Sequence, residues 1–515
     1  MVKTIVLNGS EIKVTGPDGD NAEIHNFGMG TVYASKFPNI TEDADNVIAV
    51  SSGAIDGLAG TGGTVYLLGK GKVQVNFTDE KITRTSVSYA SGSGSGVLRE
   101  YVDEKDADTL AAAKEYAEML NSDLSGYVGY TEGDIYGLEA DFENCVFTRL
   151  AGAVGKTPGA DFDCVRAYGG RRRCNLSDSG EVLAYYGDEG FKADGSNGQV
   201  MVEQPRFYYK VVPLKVEKIE GADGYHLRKA RYYISDTPKA GFKIHPAFVR
   251  DGGEAERIYL SAFEGSVMDE QTGEYLLDDP QTVSFNRDKL SSICGAMPAS
   301  GSEQALTRDN LQSLAKNRGT GWEITTIHAL AATQLLFIIE YASFNSQSAV
   351  GPGIVNASSP TRTGSTLPLG NASGSAANGG VSYRGEENLW GNSYCFINGV
   401  IADNPSETGY VSRLYISNST DDIKSSFLYN KTQNMYPSAL GYIPGYDWLF
   451  WDSEHNGNTT YLTGDIVWNG HAGKRYLMQG GRWTNESNAG LFSYSFLYKP
   501  DGHSNAVGAR AIYIP

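Results

Sequence analysis

The side chains that could do covalent chemistry are few and scattered in this 515-residue chain. Its five cysteines, Cys145, Cys164, Cys174, Cys294 and Cys395, are widely spread and form no C-x-x-C pair. An odd, dispersed set does not imply a disulfide framework and fits assembly in a reducing compartment. Cys164 and Cys174 are close enough in sequence to pair or to share a metal, but are read as lone buried thiols. No H-E-x-x-H or His/Cys zinc spacing occurs. Serine hydrolase signatures such as G-x-S-x-G do not stand out, and the Ser-Gly repeat at 91–96 is not a strand-to-helix elbow. Adjacent carboxylates such as Asp278 and Asp279 are present, yet sequence alone cannot set two carboxylates across a glycosidic bond. Arg171-Arg172-Arg173 follows Gly169-Gly170 without the letters of a P-loop. In so acidic a chain it is read as an ion-pairing segment before a phosphate site. The expectation is a protein that acts without catalysis.

Recognition chemistry is better represented. From Gln479 the chain reads Gly480-Gly481-Arg482-Trp483, then Ala489-Gly490-Leu491-Phe492, then Gly508-Ala509-Arg510. After Trp483, between these marks, lie Thr484, Asn485, Ser487, Ser493, Tyr494, Ser495, Tyr498, Ser504 and Asn505, ten residues with Trp483. Tyr, Ser and Asn on loops fixed by glycine turns are the residue types of binding surfaces. These ten, with Tyr394 as an outer member, are the candidate ligand-binding residues. Trp483 reads equally as a contact and as a core anchor, and the serines and asparagines equally as contacts and as solvated loop.

Composition limits the classes. The formal net charge of −18 argues against nucleic-acid binding as a main role. The 62 glycines, well above a typical ~7%, and the 32 tyrosines point to a mainly β or loop-rich chain. No apolar run approaches the ~20 residues a membrane helix needs. Met1-Val2-Lys3 leads into a strand pattern without an apolar leader. A length of 515 residues implies two or three domains.

The elements fall in order. Residues 1–90 alternate short β-rich runs with Gly, Asn and Asp turns and read as a β-sandwich, in which His25 is structural. Residues 91–96 read as a flexible linker. Leu110, Ala113, Ala117, Leu120 and Leu124 step by three and four, giving a helix over 97–125 whose narrow apolar seam suits a trimer or a single helix lying on a neighbouring domain. Strands follow from residue 127, with runs at 142–150, 182–186 and 200–210 and a hairpin across Gly221 to Gly224. Helices are expected over Asp309–Lys316 and from Ile327 to Phe344, with His328 structural. Residues 345–382 read as a long loop without a core pattern, functional or mobile. The aromatic run Tyr442–Trp451 suits a core or a recognition platform.

The marks GG-x-W, N-A-G-x-F and G-x-R resemble the C-type-lectin-like domain related to the formylglycine-generating enzyme. The upstream run Arg384-Gly385-Glu386-Glu387-Asn388-Leu389-Trp390-Gly391-Asn392 is similar to a second segment of that family, with Tyr394 and Phe396 in place of its tryptophans. That family includes the variable proteins of diversity-generating retroelements and receptor-binding proteins of phage tails. The resemblance implies an α+β lectin-like fold over 127–515 with insertions, after a 1–90 virion-attachment domain and a 91–126 linker and oligomerisation helix. It implies a homotrimeric virion protein, made in the host cytoplasm, that binds a host cell-surface receptor and contacts other tail proteins through residues 1–90, with neither nucleic acid nor a membrane span. Other readings are a structural tail or baseplate component and a glycan-degrading tail hydrolase. The cysteines of the enzyme relatives have no counterpart near the C-terminal motif. Asn388 and Asn392 fall where relatives can have a metal-supporting or purely structural turn. No cofactor is expected beyond a structural calcium ion, which no dense acidic loop supports.

Overall fold

The structure, a computed structural model, describes residues 135–515 apart from 220–223, 251, 279–282, 302, 405–410, 417–424, 431–435 and 470. Within residues 1–134 it describes the backbone of seven short strands. The chain divides into two compact units, Met1–Ala113 and Lys114–Pro515.

In the first unit, Val2–Leu7 pairs with Ser10–Thr15, and Glu23–Asn26, Thr31–Lys36 and Val47–Ala49 form a three-stranded sheet. The β-rich runs of residues 50–86 lie outside the described residues, and so does the helix expected over 97–125 apart from its first two positions, which are strand. The Ser-Gly stretch corrects the linker reading. Val87–Ser91 pairs antiparallel with Gly94–Leu98, with Ser91 opposite Gly94. Gly and Ser suit the two-residue connection of such a hairpin, so a low-complexity run becomes a strand pair.

The second unit is mainly β around one buried helix, the fold class expected from composition. A six-stranded sheet has the order Val182–Tyr185, Arg172–Leu176, Gln199–Pro205, Arg257–Ser261, Ala511–Tyr513, Trp322–Ile324. A second sheet is built on the long hairpin Tyr208–Lys218 and Tyr225–Ser235, extended by Tyr136–Asp141, Val146–Ala151, Ala439–Tyr442 and Trp451–Glu454. A third centres on Tyr394–Asn404 and Gly473–Gly480, continuing to Gly490–Ser495. The single strand expected at 200–210 is two, because the ladder ends at Pro205, which has no N–H to donate.

The helix Ile327–Tyr341 sits at the centre, and every residue from Ile327 to Glu340 is buried. An apolar run on all faces cannot lie on a surface, which is why the sequence IHALAATQLLFII belongs inside. Thr326 caps it by accepting from the Ala329 N–H at 3.2 Å. It ends at Ala342 in the left-handed region, φ 49°. The run Tyr442–Trp451 packs into the same core: Trp448, Phe450 and Trp451 are buried. A second core lies under the shorter helix Arg308–Lys316, where Leu311 and Leu314 meet Trp322, Phe396 and Met478.

Residues 345–382 are not a mobile insertion. They hold a helical turn at Ser346–Ala349 and strands at Gly374–Ser375 and Val381–Tyr383. Polar side chains hold their backbone where an apolar pattern is missing. The Glu387 carboxylate accepts from the N–H groups of Gly364 and Thr366, both at 2.6 Å, and Arg173 donates to the Thr366 carbonyl at 3.1 Å.

Candidate functional site

The upstream motif is a knot of internal bonds. Arg384, Asn388 and Asn392 all sit at positive φ (43°, 49° and 57°), with Gly385 and Gly391 between them at 94° and 78°. These turns aim the side chains inward. The Arg384 guanidinium grips Glu340 of the central helix at 2.6 and 2.7 Å and reaches Asp163 at 2.8 Å. Glu386 is paired with Arg171, and Trp390 is fully buried with its indole N–H on the Gly351 carbonyl at 3.0 Å. The arginine run is thus absorbed internally. Arg171 and Arg173 are buried, and Arg172 lies over the Tyr185 ring at 3.8 Å.

The terminal motif locks onto the upstream one. Gly480 has φ 102°, and a Cβ there would stand 2.8 Å from the Leu389 carbonyl oxygen, so only glycine fits. Gly391 N–H donates to the Gly480 carbonyl at 3.1 Å, and Gln479 Nε2 to the Leu389 carbonyl at 2.9 Å. Arg510 donates to the carbonyls of Glu387 and Ser261, both at 2.8 Å. Beneath both motifs lies Glu264, whose Oε2 accepts from Asn388 Nδ2 at 3.1 Å and Asn392 Nδ2 at 2.7 Å. Burial pushes its carboxyl up to about 7, against the pull of Arg510 and the two amides. The asparagines therefore offer N–H groups to an internal carboxylate, and Asn392 Oδ1 already accepts from Thr361 N–H at 2.8 Å. They are not oxygen donors to a calcium ion. Among the described residues no group of three or more His, Cys, Asp or Glu side chains could hold a metal.

The candidate binding residues separate into two sets. Tyr394, Trp483, Ser493, Tyr494 and Ser495 are buried, which corrects their assignment to a contact surface. For the last three the cause is the strand Gly490–Ser495, whose six residues are all buried in the third sheet. Tyr494 stacks on Trp451 at 5.5 Å, its hydroxyl donating to the Phe450 carbonyl at 2.9 Å and accepting from Gln334. Ser493 Oγ donates to the Ile466 carbonyl at 3.2 Å. Trp483 is an anchor in a small cluster with Ile354 and Ala506. Thr484, Ser487 and Asn505 are exposed, and Asn485, Tyr498 and Ser504 half-exposed.

That cluster gathers three loops into one face. Ala357 N–H donates to the Trp483 carbonyl at 2.8 Å and Glu486 N–H to the Val355 carbonyl at 2.9 Å. The third loop joins through Ala506, and Gly301 N–H donates to the Ser504 carbonyl at 2.8 Å. The face thus carries Thr484, Asn485, Ser487, Ser504 and Asn505 together with Asn356, Ser358, Ser359 and His503, which sequence reading did not assign. The Asn-Ala-Ser-Ser run is the signal that could have found the first three. Arg482 lies across Trp483, 5.7 Å from its ring centroid, with Nε on Thr484 Oγ1 at 3.0 Å.

The chain is similar to the Major Tropism Determinant variants. The I1 variant has 13% identity and a TM-score of 0.26, over 67% of this chain and 71% of that one. The P3c variant has 13% identity and a TM-score of 0.24, over 66% and 71%. No family model and no curated protein matches.

Two buried histidines sit among core aromatics. His328 is buried with its ring 4.6 Å from Trp448, as expected, and His245 is held well below its usual range by burial. Cys164 is exposed, which corrects its reading as a buried thiol, and it is not paired with the buried Cys174. The side chain of His25 is outside the described residues.

Proposed function

We propose that this chain is a phage tail receptor-binding protein whose loop face, centred on Thr484, Ser487 and Asn505, binds the host cell surface without catalysis. The observation that carries the reading is a division of labour along the terminal segment. The strand Gly490–Ser495 and the anchor Trp483 are buried and bonded into the core, while Thr484, Ser487 and Asn505 on the flanking loops are exposed. A rigid scaffold with exchangeable exposed tips is the arrangement of a binding surface. Residues 1–90 would attach the chain to the tail, and 97–125 would gather three copies, so that weak single contacts add as avidity. Protein made in the host cytoplasm would leave with the virion.

Diversification by a retroelement belongs to the same reading. Its substitutions would then fall on Thr484, Asn485, Ser487, Ser504 and Asn505 and spare 490–496. Sister genomes that change at the buried positions as often as at the exposed ones would count against it.

Adsorption of the full-length protein to candidate host cells is the direct test, with Thr484→Ala and Asn505→Ala beside it. Saturable binding weakened by both supports the loop face. Loss of a surface polysaccharide on incubation would favour the tail-hydrolase reading. Normal adsorption by virions carrying the substituted protein would favour a structural tail component.

A further inference from the structure

Asn392 ties two of the three loops to the core with all of its polar groups. Its N–H donates to the Ile354 carbonyl at 2.7 Å, and its carbonyl accepts from Trp483 N–H at 3.2 Å. Its Oδ1 accepts from Thr361 N–H, and its Nδ2 donates to the Thr361 carbonyl at 3.1 Å and to Glu264 Oε2 at 2.7 Å. Loop 354–362 and the start of loop 482–488 therefore meet on one residue, the second through its backbone carbonyl, and the side chain of that residue rests on one carboxyl. We propose that Glu264 is a positioning residue for the loop face, acting through Asn392, so that gain or loss of one proton at its carboxyl loosens or tightens both loops together.

The surroundings of Glu264 support this. It is buried, at 1% exposure, and its Oε1 has no hydrogen-bond partner in the structure. The charged and titratable groups facing it are Arg510 before the strand Ala511–Tyr513, Glu387 in the upstream motif and Cys395 on the strand Tyr394–Asn404. Arg510 favours the charged form and Glu387 opposes it. Burial brings the carboxyl up to about 7, inside the range a host environment spans. The ionised carboxylate accepts the asparagine N–H groups as charge-assisted bonds, which are about twice as strong as neutral ones. The protonated acid accepts them more weakly, and its own O–H at Oε1 meets no acceptor.

The coupling stands on the geometry of the loops and rests on the binding reading only for its effect on adsorption. Hydrogen exchange of the full chain from about pH 5.5 to about 8.5 tests it, corrected for the intrinsic pH dependence of amide exchange. The amides of Ala357, Thr361, Trp483 and Glu486 should lose about fivefold in protection as pH falls through 7, while those of Tyr225–Ser235 stay constant. In Glu264→Gln the same amides should show a flat profile. Wild-type protection that is flat, or that rises as pH falls, overturns the proposal even if the variant does not fold. Adsorption over the same range separates the two claims. Adsorption indifferent to pH beside pH-dependent loop protection leaves the coupling standing and counts against the loops as the contact surface.

Discussion

The guanidinium of Arg510 donates to the backbone carbonyl of Glu387 at 2.8 Å, joining two motifs 123 residues apart in sequence. A second bond reaches the Ser261 carbonyl at 2.8 Å. The same arginine supplies the positive charge that faces Glu264. The G-x-R mark therefore acts as a clasp between sheet and motif.

Removing the clasp leaves two buried carbonyls without their donor and a carboxyl without its counter-charge. Arg510→Ala should cost about 2–4 kcal/mol in denaturant unfolding, with Arg510→Lys recovering only part, since an ammonium cannot span both carbonyls as a planar fork does. A loss under about 0.5 kcal/mol, the range of ordinary surface changes, would contradict this role.

Glu264 should leave a signature in the pH dependence of global stability. Its folded-state value of about 7 lies above the ordinary 4.5, so between these limits the folded state binds more protons than the unfolded one. Stability from this group is therefore complete below about pH 4.5, falls as pH rises to about 7 and then levels, by on the order of 3 kcal/mol. Glu264→Gln should remove that slope, which chemical denaturation at several pH values would read. Loop protection moves in the opposite direction, because the asparagine bonds strengthen as the buried charge appears.

Exposed and buried members of the terminal segment should separate cleanly. Thr484→Ala, Ser487→Ala and Asn505→Ala should change stability by less than about 0.5 kcal/mol while lowering adsorption. Tyr494→Ala should cost about 3–5 kcal/mol, because it empties a site stacked on Trp451 and strands Gln334. Thermal melts beside cell-binding curves would show whether any loss of adsorption by Tyr494→Ala exceeds its loss of folded protein.

Gly490 should not tolerate a methyl group. A Cβ there would lie 1.9 Å from the Asp465 carboxylate, whose Oδ2 accepts from Phe492 N–H at 2.8 Å. Gly490→Ala should destabilise by about 1–3 kcal/mol through this overlap. Unchanged unfolding would mean that Asp465 moves aside freely.

The thiols should differ in reactivity. Cys164 is exposed and should label with a thiol reagent in the native protein. Cys174 and Cys395 are buried, and burial pushes both thiols up to about 12, so they should react only on unfolding. Mass spectrometry of native labelling would check the order.

Much of the fold was legible because periodicity reports burial. The all-apolar run from Ile327 announces its helix, and the alternating runs announce strands. The fixed marks were legible as well, since Gly480, Gly490 and Trp390 answer to steric needs that few other residues meet. Which polar residues face outward was not legible. Ser493, Tyr494 and Ser495 have the composition of a binding loop, yet they are a buried strand whose hydroxyls find partners up to 160 residues away. Short-range pattern cannot register such partners. The same limit hid loop 345–382, which is held by Glu387 and Arg173 and not by an apolar stripe.

The strand Ala511–Tyr513 lies inside its sheet, between Arg257–Ser261 and Trp322–Ile324, and Ser261 bonds to Ala511 across 250 residues of chain. On the ribosome the neighbouring strands must wait, unpaired, until this piece has been synthesised and has emerged. Closure of the sheet thus waits for synthesis of the whole stretch from Arg257 to Tyr513. A chain cut short before Ala511 would keep an open seam and sticky edges, prone to aggregation and proteolysis.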